Sequence, residues 1–441
     1  RFHFGSCCYS SKMKSSKASS TASPTASSSC PKQILNKILQ NLYEYDILSI
    51  QEAKSAQQKV WIVQFQIKPD IASSLSQSTN HDGKAWKEFL QSGENRLVVR
   101  QWRGGCRWWN LHRNQDPKIL AKAEAFGYRF ARQSLTETSR AQKKSPSVVI
   151  PRILYFNTKE SDGDEFPWAV LEYVGINSTC FDGDYLYDDS YLTRMIKTRH
   201  EFGFDEPHPR WGRVPVEHSL EYSTRILEQV LIPLHTNSKG VCSNTEAQTY
   251  ESMLQLYEQA WKDMKKQERM LFESLVRDQD EPVAKDARMV EAFDLLESAV
   301  ITVLSQNIST IPPLPPALVH LDLQPQNLLF SRDGNSNIRV SSVLDWEEAA
   351  VADPRFDLLL IGRKVCANRE QAEEVWKVYS DTTNQNLGLL LPWLQLETIH
   401  SITTLLLQSM NLLNGGRNPW ETKKDLWEKL RREFVRWEGL C

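Results

Sequence analysis

The stretch that most constrains this chain runs from Ala317 to Phe330, where His320, Asp322 and Asn327 stand among short apolar runs. Val343-Leu344-Asp345-Trp346-Glu347 follows, and then Ala352-Asp353-Pro354-Arg355-Phe356-Asp357-Leu358. Polar residues beside short apolar runs are what strand ends deliver into a site. A His-x-Asp, four residues, an Asn and then an Asp on a later strand form the spacing that phosphoryl transfer from ATP requires. One carboxylate orients the attacking hydroxyl and accepts its proton, while an amide oxygen and a second carboxylate hold magnesium on the phosphates. A fold that serves this pattern must bring both segments together and set a nucleotide against them.

The remainder of the chain has the parts for such a fold. Its 441 residues can bury a large core, and 40% apolar with 24% charged residues is ordinary for a globular protein. A formal net charge of −2 gives no global argument for nucleic acid or membrane as a partner. No apolar run approaches the roughly 18 residues of a membrane helix. The eight cysteines show no Cys-x-x-Cys pair or zinc spacing, which points to reduced thiols in a reducing compartment. Residues 1–30 are rich in Ser, Thr and Ala, and no acidic residue precedes Glu44. They are expected to be a disordered tail of a cytoplasmic protein, or a transit segment if the protein is bound for plastid or mitochondrion.

Pro31 to Tyr45 has the apolar spacing of a short helix. Ile47–Ile50 and Val60–Ile67 read as strands around the polar connector Lys54–Lys59, and the polar stretch Pro69–Asn95 as an insertion. Leu97–Trp102 is the next strand, with Arg100 inside it either as an edge residue or as a phosphate ligand in a cleft. Pro117–Leu135 reads as a helix whose apolar stripe of Leu120, Ala123, Gly127, Phe130 and Ala131 includes Glu124. A carboxylate on such a face needs a positive partner, and Arg100 is the candidate. Val148–Pro151 and Trp168–Val174 supply two more strands. The first part is thus a small mixed sheet with one packed helix. From Gly175 an irregular acidic and aromatic segment, 178–218, suggests a functional insertion or lid. Helical patterns then cover Leu220–Leu234, Thr245–Val276 and Val283–Val303, ending at the prolines 312–316. Three further helices are expected over Arg369–Tyr379, Leu394–Leu413 and Trp420–Trp437.

The order sheet, helix, helical part with a strand-rich insert, together with the His320–Asn327, Asp345-Trp346 and Asp353-Pro354…Asp357-Leu358 motifs, resembles the aminoglycoside phosphotransferase and choline kinase family. The resemblance spans roughly residues 45–365 and is strongest over 317–358. It implies an α+β, two-lobed protein-kinase-like fold. Residues 31–174 would form a small nucleotide-binding lobe of sheet plus helix, and 175–441 a larger, mainly helical catalytic and substrate lobe. It also implies an enzyme that uses ATP and Mg2+ on a hydroxyl of a small molecule. Asp322 would be the base, with His320 in the same loop as a brace for its backbone. Asn327 and Asp345 would hold the metal. Arg100 would meet the phosphates, with Glu124 as its pair, and Glu172, Tyr173 and Val174 would form the linker that meets the adenine. Asp357 would tie its helix to the catalytic loop, and Leu234-His235 also fits.

The chain departs from the family in three ways. The connector Lys54–Lys59 lacks glycine; Leu321, Gln324 and Gln326 stand where antibiotic kinases carry Gly, His and Gly; and the segments 178–218 and 245–303 are long. These features leave a nucleotide-binding pseudokinase as an alternative. A metal-dependent hydrolase built on His320, Asp322 and Asp345 is another. Acidic residues such as Asp184, Asp188, Glu397 and Glu421 could line a site for a cationic acceptor, although solvated surface is their commoner use. Tyr185, Tyr187, Tyr191, Trp393 and Trp420 could form an aromatic cage, although core packing is the commoner use.

Overall fold

Alternation of apolar and polar residues takes hold at Tyr45, where the computed structural model begins its first strand. It describes residues 45–53, 58–67, 85–86, 88–89, 91–102, 105–107, 112–141, 148–157, 166–174, 218–238, 247–262, 301–324, 327–332, 337–413 and 423–440. Strands Tyr45–Ala53 (β1), Lys59–Ile67 (β2) and Arg96–Gln101 (β3) precede a small hairpin, Gly105–Arg107 (β4) with His112–Gln115 (β5). Helix Pro117–Ala141 (α1) follows, then Ile153–Asn157 (β6) and Trp168–Glu172 (β7). Five of these strands form one antiparallel sheet in the order β1-β2-β3-β7-β6.

Period two sorts the faces of this sheet. Trp61, Val63, Phe65, Leu97, Val99, Trp168 and Val170 share one face and are covered by Trp86 and Phe89. Arg100 and Trp102 share the other, where Trp102 and Ala169 pack on Leu120 and Ala121 of α1. β3 lies in the middle of the sheet, so Arg100 is a buried central residue and the edge reading is excluded.

The second part opens with a helix (α2) that runs through Ser219–Ile226, a π turn at Leu227–Leu231 and Ile232–Asn237. The π turn lies just before Pro233, which has no N–H to donate and displaces the regular ladder. Residues 250–262 (α3) and Ile301–Asn307 (α4) are helical. Ala317–Val319 (β8) pairs with Ala350–Ala352 (β11), and between them Leu328–Arg332 (β9) pairs with Ile338–Val343 (β10), both antiparallel. Helices Arg355–Lys364 (α5), Arg369–Thr383 (α6), Leu391–Leu413 (α7) and Lys423–Leu440 (α8) complete the order. Arg355 anchors the proline segment that feeds β8. It is gripped by Asp353 at 2.8 and 2.6 Å and donates to the carbonyls of Leu387 and Pro312 at 2.9 Å each.

Several expectations need correction. The strand expected at Val148–Pro151 makes only a parallel bridge from Val149 to Ser342, and the sheet strand is Ile153–Asn157. Pro151 has no N–H for a ladder, whereas the Ile-Leu-Tyr-Phe run after it packs well on a pleated surface. The presumed insertion Pro69–Asn95 ends in helical residues 85–86, 88–89 and 91, whose Trp86 and Phe89 belong to the sheet's core. Glu397 is neither surface nor a ligand for a cationic acceptor. It is buried on α7, where Arg363 of α5 and Arg436 of α8 both bind it; Arg363 also binds Glu433 at 2.6 Å. Buried charges persist in such an arrangement because each is paired. Trp393 is core, meeting Phe356 and Tyr250 edge to face and Trp376 at a tilt. Of the helix expected over Pro31–Tyr45 only Tyr45 is described, and it opens β1; nearly all of the 178–218 segment, most of 245–303 and the acidic or aromatic residues 184–191, 420 and 421 lie outside the described residues. Among the described residues no helix is long and apolar enough to cross a membrane.

Two predictions follow from packing and burial. A Cβ on Gly127 would come within 2.7 Å of Trp346 Cβ and 2.9 Å of Ala349 Cβ, so α1 approaches the segment after β10 as closely as a backbone allows. Gly127→Ala is expected to lower stability by about 1–3 kcal/mol in urea unfolding, the usual cost of overpacking. Burial, then the charges of Arg363 and Lys364, pushes the His400 imidazole from 6.5 down to about 3. The folded state keeps this ring neutral while the unfolded chain protonates it, so stability is lost as pH falls from about 6.5 toward 3. His400→Gln should show a smaller loss between pH 7 and pH 4 than the parent chain.

Candidate active site

The catalytic-loop segment leaves β8 at Val319 and is shaped by contacts to its backbone. Asp357, fully buried on the first turn of α5, accepts from the N–H of His320 at 2.9 Å and from that of Leu321 at 2.9 Å. His235 at the end of α2 lies 3.2 Å from the same carboxylate and 3.0 Å from Tyr379 Oη, which fixes Asp357 in turn. Leu321 takes a left-handed φ of 60° where glycine would be at ease, and its side chain is buried. Two N–H bonds to one carboxylate, plus that burial, hold a conformation that costs a leucine about 1–2 kcal/mol.

His320 faces inward. Its Nδ1 accepts from the Asp322 N–H at 3.2 Å and its Nε2 donates to the Leu344 carbonyl at 2.8 Å, which assigns the tautomer. Burial lowers its pKa, against the pull of Asp357, so the ring is neutral. It braces the loop and joins it to the segment carrying Asp345. Both ring nitrogens are engaged by backbone groups, so the metal-hydrolase reading has no ligand here.

Asp322 is held by two amides. Gln324 Nε2 reaches its Oδ1 at 2.8 Å and its Oδ2 at 3.0 Å, and Asn327 Nδ2 reaches Oδ2 at 2.8 Å. The Asn327 amide nitrogen is also 2.8 Å from the Asp322 carbonyl, which leaves Oδ1 of Asn327 as an acceptor for a cation. Burial, then the charges of Asp345 and Glu347, raises the Asp322 carboxyl to about 8; the two amides offset part of this. The Leu344 N–H donates to the Asn327 carbonyl at 2.8 Å, a second tie between the two segments.

Asp345 also sits at φ 60°, and its N–H donates to Tyr128 Oη of α1 at 3.3 Å. Its Oδ1 lies 2.9 Å from Nη2 of Arg100. The same Nη2 is 2.9 Å from Glu347 Oε2, while Arg100 Nε is 3.0 Å from Glu124 Oε2. The Arg100–Glu124 pair inferred from the apolar stripe is therefore present. Burial opposes the charge on Arg100, but Glu124, Asp345 and Glu347 outweigh it and raise its pKa. One guanidinium among three carboxylates leaves a surplus of negative charge. Burial and Asp345 accordingly push Glu347 up to about 7.

Oxygens of Glu124, Asp345 and Glu347 lie within 4.8 Å of one another. Hard oxygen donors with excess charge suit magnesium, so the donor set fits that ion. Three participants escaped sequence reasoning. Glu347 stands two residues after Asp345, a spacing that can put two carboxylates on one side. Trp102 Nε1 donates to Glu124 Oε2 at 2.7 Å, and Gln58 Nε2 donates to Glu347 Oε2 at 3.2 Å; neither carried a local signal. Gln324 was visible only as a substitution.

The linker residues are placed less directly. The Glu172 carboxylate is turned to Arg152 at 3.0 Å, and its N–H donates to the Arg152 carbonyl. The ring of Tyr173 lies under Arg96, 4.4 Å from the guanidinium carbon, and Val174 follows. Residues 54–57 of the connector lie outside the described residues, and Gln58 is its described end.

Residues 250–389 match the phosphotransferase enzyme family. That match includes the segment His320–Asn327, Asp345 and Asp357, and it agrees with the family named from the motifs. A structure from Ralstonia eutropha JMP134, assigned to the aminoglycoside phosphotransferases, superposes with a TM-score of 0.50 at 14% identity over 93% of this chain and 98% of that one. APH(2″)-IIia in its GDP and kanamycin complex gives 0.49 at 12% identity, covering 92% and 98% of the two chains. The choline kinase of Cryptosporidium parvum Iowa II gives 0.44 at 13%, covering 93% and 95%. The first of these establishes the fold as the protein-kinase-like α+β fold. No curated protein matches the chain.

Removing the Asp357 charge tests the brace. Asp357→Asn should destabilise the chain by about 2–3 kcal/mol, from weakened charged hydrogen bonds. It should also raise amide hydrogen exchange at His320 and Leu321, which locates the loss in the loop.

Proposed function

We propose that this chain is an ATP- and magnesium-dependent phosphotransferase that moves the γ-phosphate to a hydroxyl of a small molecule. One observation carries the reading. Asp322, Asn327 and Asp345 are linked through the Asn327 amide and the two ties from His320 and Asn327 to Leu344. That linked set meets Arg100 of the central strand and Glu124 of α1. The family match over 250–389 and the shared fold support it.

In this reading Asp322 positions the acceptor hydroxyl and takes its proton, a role that typically contributes 10²–10⁴-fold. A carboxyl raised by burial is a stronger base than one in water once it has lost its proton. Gln324 and Asn327 fix its direction. Asn327 Oδ1 and Asp345 would hold magnesium, which supplies charge neutralisation on the β and γ phosphates. Arg100 would meet the phosphates, and the backbone of Tyr173 and Val174 the adenine. The connector Lys54–Lys59 lacks glycine, so in this reading Arg100 and the metal carry more of the phosphate contact.

The acceptor is a small hydroxyl compound, the class named for the structural neighbours. A screen of ATP consumption against amino sugars, choline, ethanolamine, fructosamines, homoserine and methylthioribose should find at least one acceptor. Asp322→Asn should reduce that turnover by at least 10²-fold while ATP still raises the melting temperature. Turnover unchanged in Asp322→Asn would sink the mechanism. ATP stabilisation without turnover of any acceptor would favour the nucleotide-binding pseudokinase.

A further inference from the structure

Arg100 stands in a position that a phosphate ligand alone does not explain. Its Nη2 is 2.9 Å from Asp345 Oδ1 and 2.9 Å from Glu347 Oε2, so one nitrogen bridges the two carboxylates. One carboxylate oxygen each from Asp345, Glu347 and Glu124 lies within 4.8 Å of the others, close enough for a single cation to touch all three. The guanidinium therefore fills the place between Asp345 and Glu347 that a divalent ion would take. Its Nε meanwhile remains on Glu124.

We propose that Arg100 is the resident counter-cation of this site and competes with the divalent metal for Asp345 and Glu347. The inference rests on the reading of Asp345 as a metal ligand. Without nucleotide the guanidinium neutralises carboxylates whose burial would otherwise be too costly. A nucleotide phosphate offers Nη2 another anion and frees both carboxylates for the metal. Arginine suits the exchange because its fork can keep Nε on Glu124 while Nη2 changes partner. Gln58 Nε2 bonds the same Glu347 Oε2 at 3.2 Å, so the end of the β1–β2 connector is released in the same event. Metal and nucleotide then bind with positive coupling, each favouring the state the other needs.

Manganese binding to the full chain without nucleotide, read by electron paramagnetic resonance, tests this. Arg100→Met should bind Mn2+ at least about tenfold more tightly than the parent, a difference of about 1.4 kcal/mol. Asp345→Asn should lose the site. Equal or weaker binding by Arg100→Met, with loss in Asp345→Asn, overturns the competition and leaves the proposed function standing. Binding that ignores Asp345 overturns both. Should Arg100→Met fail to fold by circular dichroism, the parent chain decides. Titration with Mg2+ must then shift the Nε–Hε resonance of Arg100, and a signal unmoved at metal saturation overturns the proposal.

Discussion

A single buried guanidinium organises this molecule. Arg100 comes from the central strand of the sheet, Glu124 from the helix packed on it, and Asp345 and Glu347 from the segment after β10. Three remote stretches of chain thus share one cation. Charges of opposite sign within about 3 Å, away from bulk water, attract far more strongly than on a surface. Removal of Arg100 would leave three neighbouring carboxylates uncompensated. The arrangement is under-neutralised as well, so burial first and neighbouring carboxylates second draw Asp322 and Glu347 toward protonation.

Helix α1 makes this geometry reproducible. Within one turn and a little more it offers Glu124 to Arg100, the bare backbone of Gly127 to Trp346, and the Tyr128 hydroxyl to the Asp345 N–H. Its following turns place Ala131 and Leu135 in the large core shared with α2, α5 and α7. One helix is therefore wedged between the sheet and the helical part, in contact with both. A shift of α1 would be felt at Arg100 and at Asp345 together.

Much of this was readable from residues alone, and the reasons are particular. The strands β2, β3 and β7 announce themselves by alternation, and α1 by a stripe whose one misfit, Glu124, demanded a cation. Asp322, Asn327 and Asp345 stood out by their spacing, and the structure brings their segments together. Other features had no such signature. Ile153–Asn157 was displaced in the reading by the apolar Val148–Ile150 before it, because two adjacent runs compete and only pairing decides. Glu397 looked like surface because its partners, Arg363 and Arg436, lie on other helices. Gln58, Trp102 and Gln324 act through hydrogen bonds, which leave no periodicity in sequence.

The loop from His320 to Asn327 is held in large part through its main chain, with the His320, Gln324 and Asn327 side chains adding further ties. Asp357 grips the amides of His320 and Leu321, the His320 ring accepts from the Asp322 amide, and Leu344 donates to the Asn327 carbonyl. Such a loop is hung from outside, like cloth from fixed pegs. The pegs must stay, but residues between them can change without altering the drape. A leucine at position 321, in a conformation natural to glycine, is one such exchange. A chain only 14% identical to this one shares its architecture.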